Sequence, residues 1–331
     1  MHFGVGVLLS GLMDFISLTV DTPPTPWTGR NDGDGPAHRR WWQAVATPAT
    51  MVKDDSATSP TPAALLGFCS DAGVRRNLGR VGAAGAPAAI RTALGSLAFH
   101  SNRTVTDTGD VVVSGDALED GQARAGRALT AMLDAGQLTC VLGGGHETAF
   151  ASYLGVAGTA AVSNGARLGV LNLDAHFDLR DSPSPSSGTP FLQMARAEAA
   201  AGRELNYAVV GISEPNNTRA LFDTAHQLDV KYLLDEDCSE ERAVAFVSAF
   251  LESVDILYLT IDLDVMPAAT APGVSAPAAY GVPLPVITAV CRQVVASGKL
   301  FHADVAELNP EFDVDNRTAK VAARLIDTLL R

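Results

Sequence analysis

A chain of 331 residues with 47% hydrophobic and 18% charged side chains has the composition of a soluble globular enzyme, with length for one large α/β domain or two smaller ones. Its net charge of −13 argues against broad electrostatic binding to nucleic acid or to an anionic membrane. An anionic ligand would need specific arginines to build a positive pocket inside an acidic protein.

The chain opens with FGVGVLLSGLMDFISLTV, apolar but without a basic flank, interrupted by Asp14 and short for a membrane span. It reads as an added leader. Residues 21–61 are rich in Pro, Thr, Gly and Asp and read as an irregular arm, with Trp27, Trp41 and Trp42 as anchors. The expected division is therefore 1–61 for leader and arm, and 62–331 for a single catalytic domain. The four cysteines, Cys69, Cys140, Cys238 and Cys291, form no CxxC pair. They fit free thiols in a reducing cytoplasm rather than a disulfide framework.

From residue 62 onward short apolar runs alternate with longer amphipathic stretches. AALLGFC, DVVVSG, LTCVLG, RLGVLNL, NYAVVGI, VKYLL, ILYLTID and FHADVAEL are the expected strands, mostly Val/Ile/Leu runs suited to burial on both faces. ALEDGQARAGRALTAMLDAG, PFLQMARAEAAAG, SEERAVAFVSAFLESV, LPVITAVCRQVVASG and the final DNRTAKVAARLIDTLL are the expected helices. Such alternation predicts a doubly wound, mostly parallel sheet with helices on both faces. Ligands bind such sheets beyond the carboxyl ends of the strands.

Three strand ends carry ligating residues. LTCVLGGGHE leads through three glycines to His146, with neither a P-loop signature nor GxGxxG spacing. RLGVLNLDAHFDLR presents Asp174, His176 and Asp178, which share one side if the segment is extended. DILYLTIDLDV adds Asp262 and Asp264. Singly, His146 is an ordinary helix-start residue and any one carboxylate a turn cap. Together, four carboxylates packed without a cation would repel one another and be expensive to desolvate. Oxygen-rich ligands with about one imidazole per metal favour a pair of Mn²⁺ ions or a similar cation over thiolate-type zinc. A hydroxide bridging such a pair is a hydrolytic nucleophile.

GGGHE, DAHFD and IDLDV, in that order, resemble the ureohydrolase superfamily of arginases, agmatinases and formimidoylglutamases, from about residue 62 to the end. That resemblance implies a three-layer α/β/α domain and two Mn²⁺ per subunit. It implies one ion on His146 and Asp178, the other on His176 and Asp264, with Asp174 and Asp262 bridging. It further implies a homo-oligomer, trimer or hexamer, and hydrolysis of a C–N bond at an amidine or guanidinium carbon. Asp178 would pass a proton to the leaving amine, and Glu307 in ELNPEFD would pair with the substrate's cationic group. In arginases a histidine assisting proton transfer follows the DAHxD segment; here SSGTPF places Phe191 there, which argues against arginase activity.

The choice of substrate turns on charge. Agmatine has no carboxylate and needs no arginine, whereas N-formimidoyl-L-glutamate has two and calls for guanidinium forks. Arg180 lies two residues past Asp178, and GVRRNLGRVGA supplies Arg75, Arg76 and Arg80 in a loop after the first strand. These segments, with GISEPNNT and the arm's WTGRNDGDGPAHRRWWQ, resemble the formimidoylglutamase branch. In that reading Asn77 and Asn217 offer polar contacts to the substrate, and Ser187 and Thr189 lie near the site. The expected reaction is N-formimidoyl-L-glutamate plus water giving L-glutamate and formamide, in histidine degradation. An agmatinase-like or guanidino-acid amidinohydrolase with the same metal pair is the alternative; a metal-binding scaffold without activity is disfavoured by the intact ligand set. No nucleic-acid or membrane partner is expected.

Overall fold

A computed structural model describes residues 20–48 and 60–331. The leader up to residue 19 and residues 49–59 of the arm lie outside the described residues. No helix among the described residues is long and apolar enough to cross a membrane.

Among the described residues, nine strands form one sheet: β1 Val45–Ala46, β2 Ala63–Cys69, β3 Val105–Val112, β4 Leu138–Leu142, β5 Leu168–Leu173, β6 Asn206–Ile212, β7 Lys231–Leu234, β8 Ile256–Asp262 and β9 Leu300–Ala306. Their order is β1-β3-β2-β4-β9-β8-β5-β6-β7, and every pairing between these strands is parallel. β4 and β5, rich in Leu and Val, are buried at every residue, because both faces are covered. Alternate residues serve opposite layers. Leu171 and Leu173 of β5 join a core with the helices Ala86–Gly95, Glu240–Glu252, Leu284–Ala296 and Arg317–Leu330. Leu168 and Val170 face the layer containing Thr148–Ala157, Pro190–Ala200 and Arg219–Gln227. The result is the expected three-layer α/β/α architecture.

β8 and β9, last in the chain, insert between β4 and β5. Their insertion puts four strand exits side by side at mid-sheet: those of β4, β9, β8 and β5. These are the exits that carry the ligand-type residues.

The strand expected at DVVVSG begins earlier, at Val105. Its polar lead-in is stabilised by long-range partners: Arg91 bonds both oxygens of Asp107 at 2.9 Å, and the Thr108 hydroxyl donates to Leu65 O at 2.7 Å. Part of the arm is ordered against this edge. Its Trp41–Ala44 turn leads into β1, Trp41 is fully buried, and its indole donates to Asp327 at 2.9 Å. The Trp27 indole donates to Asp107 at 2.8 Å and that of Trp42 to Arg30 O at 3.0 Å. All four cysteines are free, and burial pushes the Cys69 thiol up to about 12.

Candidate metal centre

β4 ends at Leu142, and Gly143–Gly145 turn the chain sharply into His146. A Cβ on Gly144 would collide with the Ser70 backbone, so only glycine lets the turn lie against the exit of β2. After β5 the segment Asp174–Asp178 leaves the strand rather than extending it. The His176 amide donates to Asp174 Oδ1 at 2.7 Å, and Asp178 sits at φ +48°. The three side chains converge through this turn, not through strand alternation. Asp262 and Asp264 use a similar device: a short 3-10 turn in which the Asp264 amide donates to Asp262 Oδ1 at 2.8 Å.

The two imidazoles turn Nδ1 into the cluster. Nδ1 of His146 lies 3.1 Å from Asp174, 2.9 Å from Asp178 and 3.2 Å from Asp262. Nδ1 of His176 lies 3.1 Å from Asp264 and 3.4 Å from Asp174. Two groups suited to holding a cation result, His146–Asp174–Asp178–Asp262 and Asp174–His176–Asp264, with Asp174 common to both. All six side chains expected from the sequence are thus brought together.

Hydrogen bonds from behind fix the tautomer of His146. The Thr260 hydroxyl donates to Asp304 at 2.6 Å, so its oxygen accepts from His146 Nε2 at 3.1 Å. The Tyr258 hydroxyl donates to the other oxygen of Asp304 at 2.5 Å. With Nε2 committed to Thr260, Nδ1 is the nitrogen turned toward the three carboxylates. Burial opposes protonation of the ring, yet these carboxylates raise the His146 pKa well above its usual value. Phe191 stacks on Tyr207 with centroids 4.4 Å apart and meets the His146 ring edge-on at 5.5 Å. Phe191 and Tyr207 thus form an aromatic wall beside His146.

The cluster is electrostatically inconsistent without positive charge. Burial and the charges of Asp264 and Asp174 push Asp262 well above the usual carboxylate range, and burial raises Asp264. Burial opposes ionisation of Asp174 too, yet His146 and His176 hold it below that range. Asp264 Oδ1 is buried with no hydrogen-bond donor. Imidazole nitrogens turned toward hard anionic oxygens, one of those oxygens unpartnered among the described residues, are a donor set that fits a pair of divalent cations.

Glu307 stands at the exit of β9 at φ +70°, a conformation that costs a non-glycine residue energy and marks functional sites. Its Oε1 accepts the His146 amide at 2.8 Å, while Oε2 is buried without a partner. Burial, then the charge of Glu147, pushes this carboxyl up to about 8.

The residues expected at the substrate divide into two sets. Arg180, Asn77 and Ser187 come together: Asn77 donates to Ser187 Oγ at 3.1 Å, and a Cβ on Gly188 would lie 2.5 Å from Arg180 Nη1 and 3.2 Å from Asn77 Nδ2. The half-buried Arg180 guanidinium has no hydrogen-bond or ion-pair partner among the described residues. Arg75, Arg76, Arg80 and Asn217, also expected at the substrate, have protein partners instead. Arg76 is spent on Asp116, Glu119 and Pro185 O, and Arg75 on Gly115 O. Arg80 binds Ser275 O and Val274 O and stacks over Phe312. Asn217 accepts from Phe177 N and donates to Ala175 O and Ser213 O, bracing the metal-ligand turn. Thr189 stands at the N-cap of the next helix, its hydroxyl bonded to Ser186 O and the Gln193 side chain. The sequence reading did not single out Thr260 and Asp304, although each is a polar break in an otherwise apolar strand.

Two imidazoles and four carboxylates at the central exits of a parallel α/β/α sheet define a dinuclear metallohydrolase. Residues 61–331 match the arginase family, and the chain belongs to that family. Among its relatives, the formimidoylglutamase of Rhodococcus opacus (strain B4) is 55% identical over 311 residues, covering 93% of this chain and 95% of that protein. The formimidoylglutamase of Ralstonia nicotianae is 49% identical over 314 residues, covering 92% and 94%. Two solved structures share the fold. One is formimidoylglutamase from Bacillus subtilis, with a TM-score of 0.75 at 20% identity, covering 92% of this chain and 95% of that one. The other is Trypanosoma cruzi formiminoglutamase with Mn²⁺, with a TM-score of 0.72 at 24% identity, covering 82% and 92%.

Proposed function

We propose that this protein hydrolyses N-formimidoyl-L-glutamate to L-glutamate and formamide, as a Mn²⁺-dependent enzyme of the formimidoylglutamase branch. The observation that carries the reading is the Arg180 guanidinium, half-buried and unpartnered beside Asn77 and Ser187 near the ligand cluster. A cation left without a protein partner at that spot suits a substrate carboxylate. The names of the relatives at 55% and 49% identity support the same substrate.

His146 and Asp178 would hold one Mn²⁺, His176 and Asp264 the other, with Asp174 and Asp262 between them. When bound, the pair lowers the pKa of water in the site and polarises the amidine carbon. Everything else is the work of this chain. The unpartnered Glu307 Oε2 accepts a hydrogen bond from the amidinium and orients its planar carbon. Asp178, beside His146, takes a proton from the attacking water and delivers it to the departing nitrogen of glutamate. Phe191 and Tyr207 keep bulk water off the His146 side. Arg180 holds a carboxylate and so fixes which nitrogen leaves.

Residues 62–331 form the catalytic domain, and the chain assembles as a trimer or hexamer, by analogy with its family. Its free thiols support a reducing, cytoplasmic setting, where the reaction closes one route of histidine degradation. Identification of products by NMR tests the bond cleaved. Formamide and glutamate are expected in equal amounts; release of urea or ammonia as the nitrogenous product would overturn the reading.

A further inference from the structure

Glu147 follows His146 directly, and the reaction outlined above does not use it. Its carboxylate is fully buried in a space that two glycines leave open. A Cβ on Gly73 would lie 2.6 Å from its carboxyl carbon, and one on Gly145 would collide with Oε2. Burying a carboxylate costs more than burying an apolar side chain of the same size, so stability alone is a poor reason for this glutamate. What it does locally is specific: Oε1 accepts the Ser70 hydroxyl at 2.7 Å and the Gly73 amide at 2.9 Å. Both donors belong to the loop that leaves β2. The Gly145 amide donates to Ser70 O at 2.9 Å, so the root of this loop is bound to the turn that carries His146.

The same loop reaches the tail-binding region. Its Asn77 contacts Ser187 at 3.1 Å and its Arg76 contacts Pro185 O at 3.0 Å. The segment it touches is the one whose Gly188 O accepts from the Arg180 amide at 3.0 Å. At its far end, the Gly82 amide donates to Asp71 at 2.9 Å, and Asn309 donates to Arg80 O and Val81 O. A continuous set of contacts therefore joins Glu147, the loop 70–82, the segment 185–188 and Arg180.

We propose that Glu147 is a positioning residue for substrate selection: by clamping Ser70 and Gly73 it sets the distance between the metal-ligand turn and the pocket for the substrate's carboxylate tail. The proposal rests on the reading of Arg180 as the tail's partner. Loosening the clamp weakens binding of a tail-bearing substrate and leaves chemistry at the amidine carbon in place.

The test uses the full-length Mn²⁺-loaded protein and its Glu147→Ala, Glu147→Gln and Ser70→Ala variants. Two amidines are compared, N-formimidoyl-L-glutamate and N-methylformamidine, which has no carboxylate. Glu147→Ala raises KM for the first roughly tenfold, the loss of one hydrogen bond to a charged group, with kcat within about threefold. Its kcat/KM on N-methylformamidine stays within about threefold of the wild type. Glu147→Gln retains the acceptor oxygen and restores the wild-type KM; Ser70→Ala moves KM in the same direction as Glu147→Ala, but less. Hydrogen exchange on the metal-free protein needs no substrate and shows residues 71–82 exchanging faster in Glu147→Ala, with the sheet unchanged. Equal losses on both amidines, a fall in kcat at constant KM, or unchanged exchange in residues 71–82 would overturn the proposal. If Glu147→Ala fails to fold, an unchanged KM in Ser70→Ala overturns it. Wild-type protein that ignores N-formimidoyl-L-glutamate refutes the functional reading instead, and the exchange measurement still decides the clamp.

Discussion

His146 and Thr260 meet at 3.1 Å through Nε2 and Oγ1, and this one contact determines which imidazole nitrogen faces the carboxylates. The Thr260 hydroxyl donates its hydrogen bond to Asp304, so toward His146 its oxygen only accepts. Thr260→Val keeps the shape and removes the acceptor, leaving the ring free to change tautomer. Loss of such a partner behind a ligand typically costs about 10–100-fold in metal affinity. Competition with a chelator should show Mn²⁺ affinity falling by that factor, and an unchanged affinity would refute the assigned tautomer.

Asp174 belongs to both cation-binding groups, which sets it apart from the other five. In the wild type, added Mn²⁺ should raise the melting temperature, because an ion bound only to the folded state stabilises it. Asp174→Asn removes one of two charged oxygens shared between the groups. Its melting temperature should no longer respond to Mn²⁺, and hydrolysis should be lost. A response as large as the wild type's would remove Asp174 from the metal site.

Among the described residues the Arg180 guanidinium has no partner to lose, so its replacement isolates a substrate contact. Arg180→Met should raise KM for N-formimidoyl-L-glutamate by about 10–100-fold, the worth of a hydrogen bond to a charged group, with little change in melting temperature. Arg180→Lys keeps the charge but not the planar fork, and should fall between the two. An unchanged KM in both would leave the carboxylate without a recognised partner.

One acidic residue away from the metal centre gives a pH-dependent term in stability. Glu198 is buried and accepts from the Tyr153 hydroxyl at 2.6 Å and from Arg203 at 2.8 Å and 2.6 Å. Burial raises its pKa, but Arg203 and Tyr153 outweigh burial and the net shift is downward. A lowered folded-state pKa gives stability that is present above the unfolded value, about 4.3, and is lost as pH falls through the folded one. Arg203 keeps 40% of its side chain in water, so screening limits the contribution to about 1 kcal/mol. Urea denaturation should find Glu198→Gln less stable than the wild type at pH 7, with the difference shrinking below pH 4. A difference that grows on acidification would reverse the assignment.

The architecture was legible because fully buried parallel strands are written as unbroken apolar runs, as in LGVLNL. The six ligand-type residues were legible because carboxylates and imidazoles directly after such runs have few structural explanations. The buried helix Thr148–Ala157 was not, since most of it is covered and it lacks the polar stripe that marks a surface helix. Which arginines have protein partners was not legible for a different reason. Whether Arg76 is free or spent depends on Asp116, Glu119 and Pro185, residues 40 to 109 positions away in sequence. Local pattern carries no trace of such partners. Glu147 was visible in GGGHE, but its function depends on how closely the exits of β2 and β4 approach.

The most direct test of the central claim is steady-state hydrolysis by the Mn²⁺-loaded protein, comparing N-formimidoyl-L-glutamate with agmatine, arginine and guanidino acids under one set of conditions. This account predicts a kcat/KM for N-formimidoyl-L-glutamate above all the others and at least roughly a hundredfold above agmatine, since binding a substrate without a carboxylate leaves the half-buried Arg180 guanidinium unpaired. Preference for arginine or a guanidino acid would retain the metal centre and contradict the substrate; preference for agmatine would contradict the assignment of Arg180 as well.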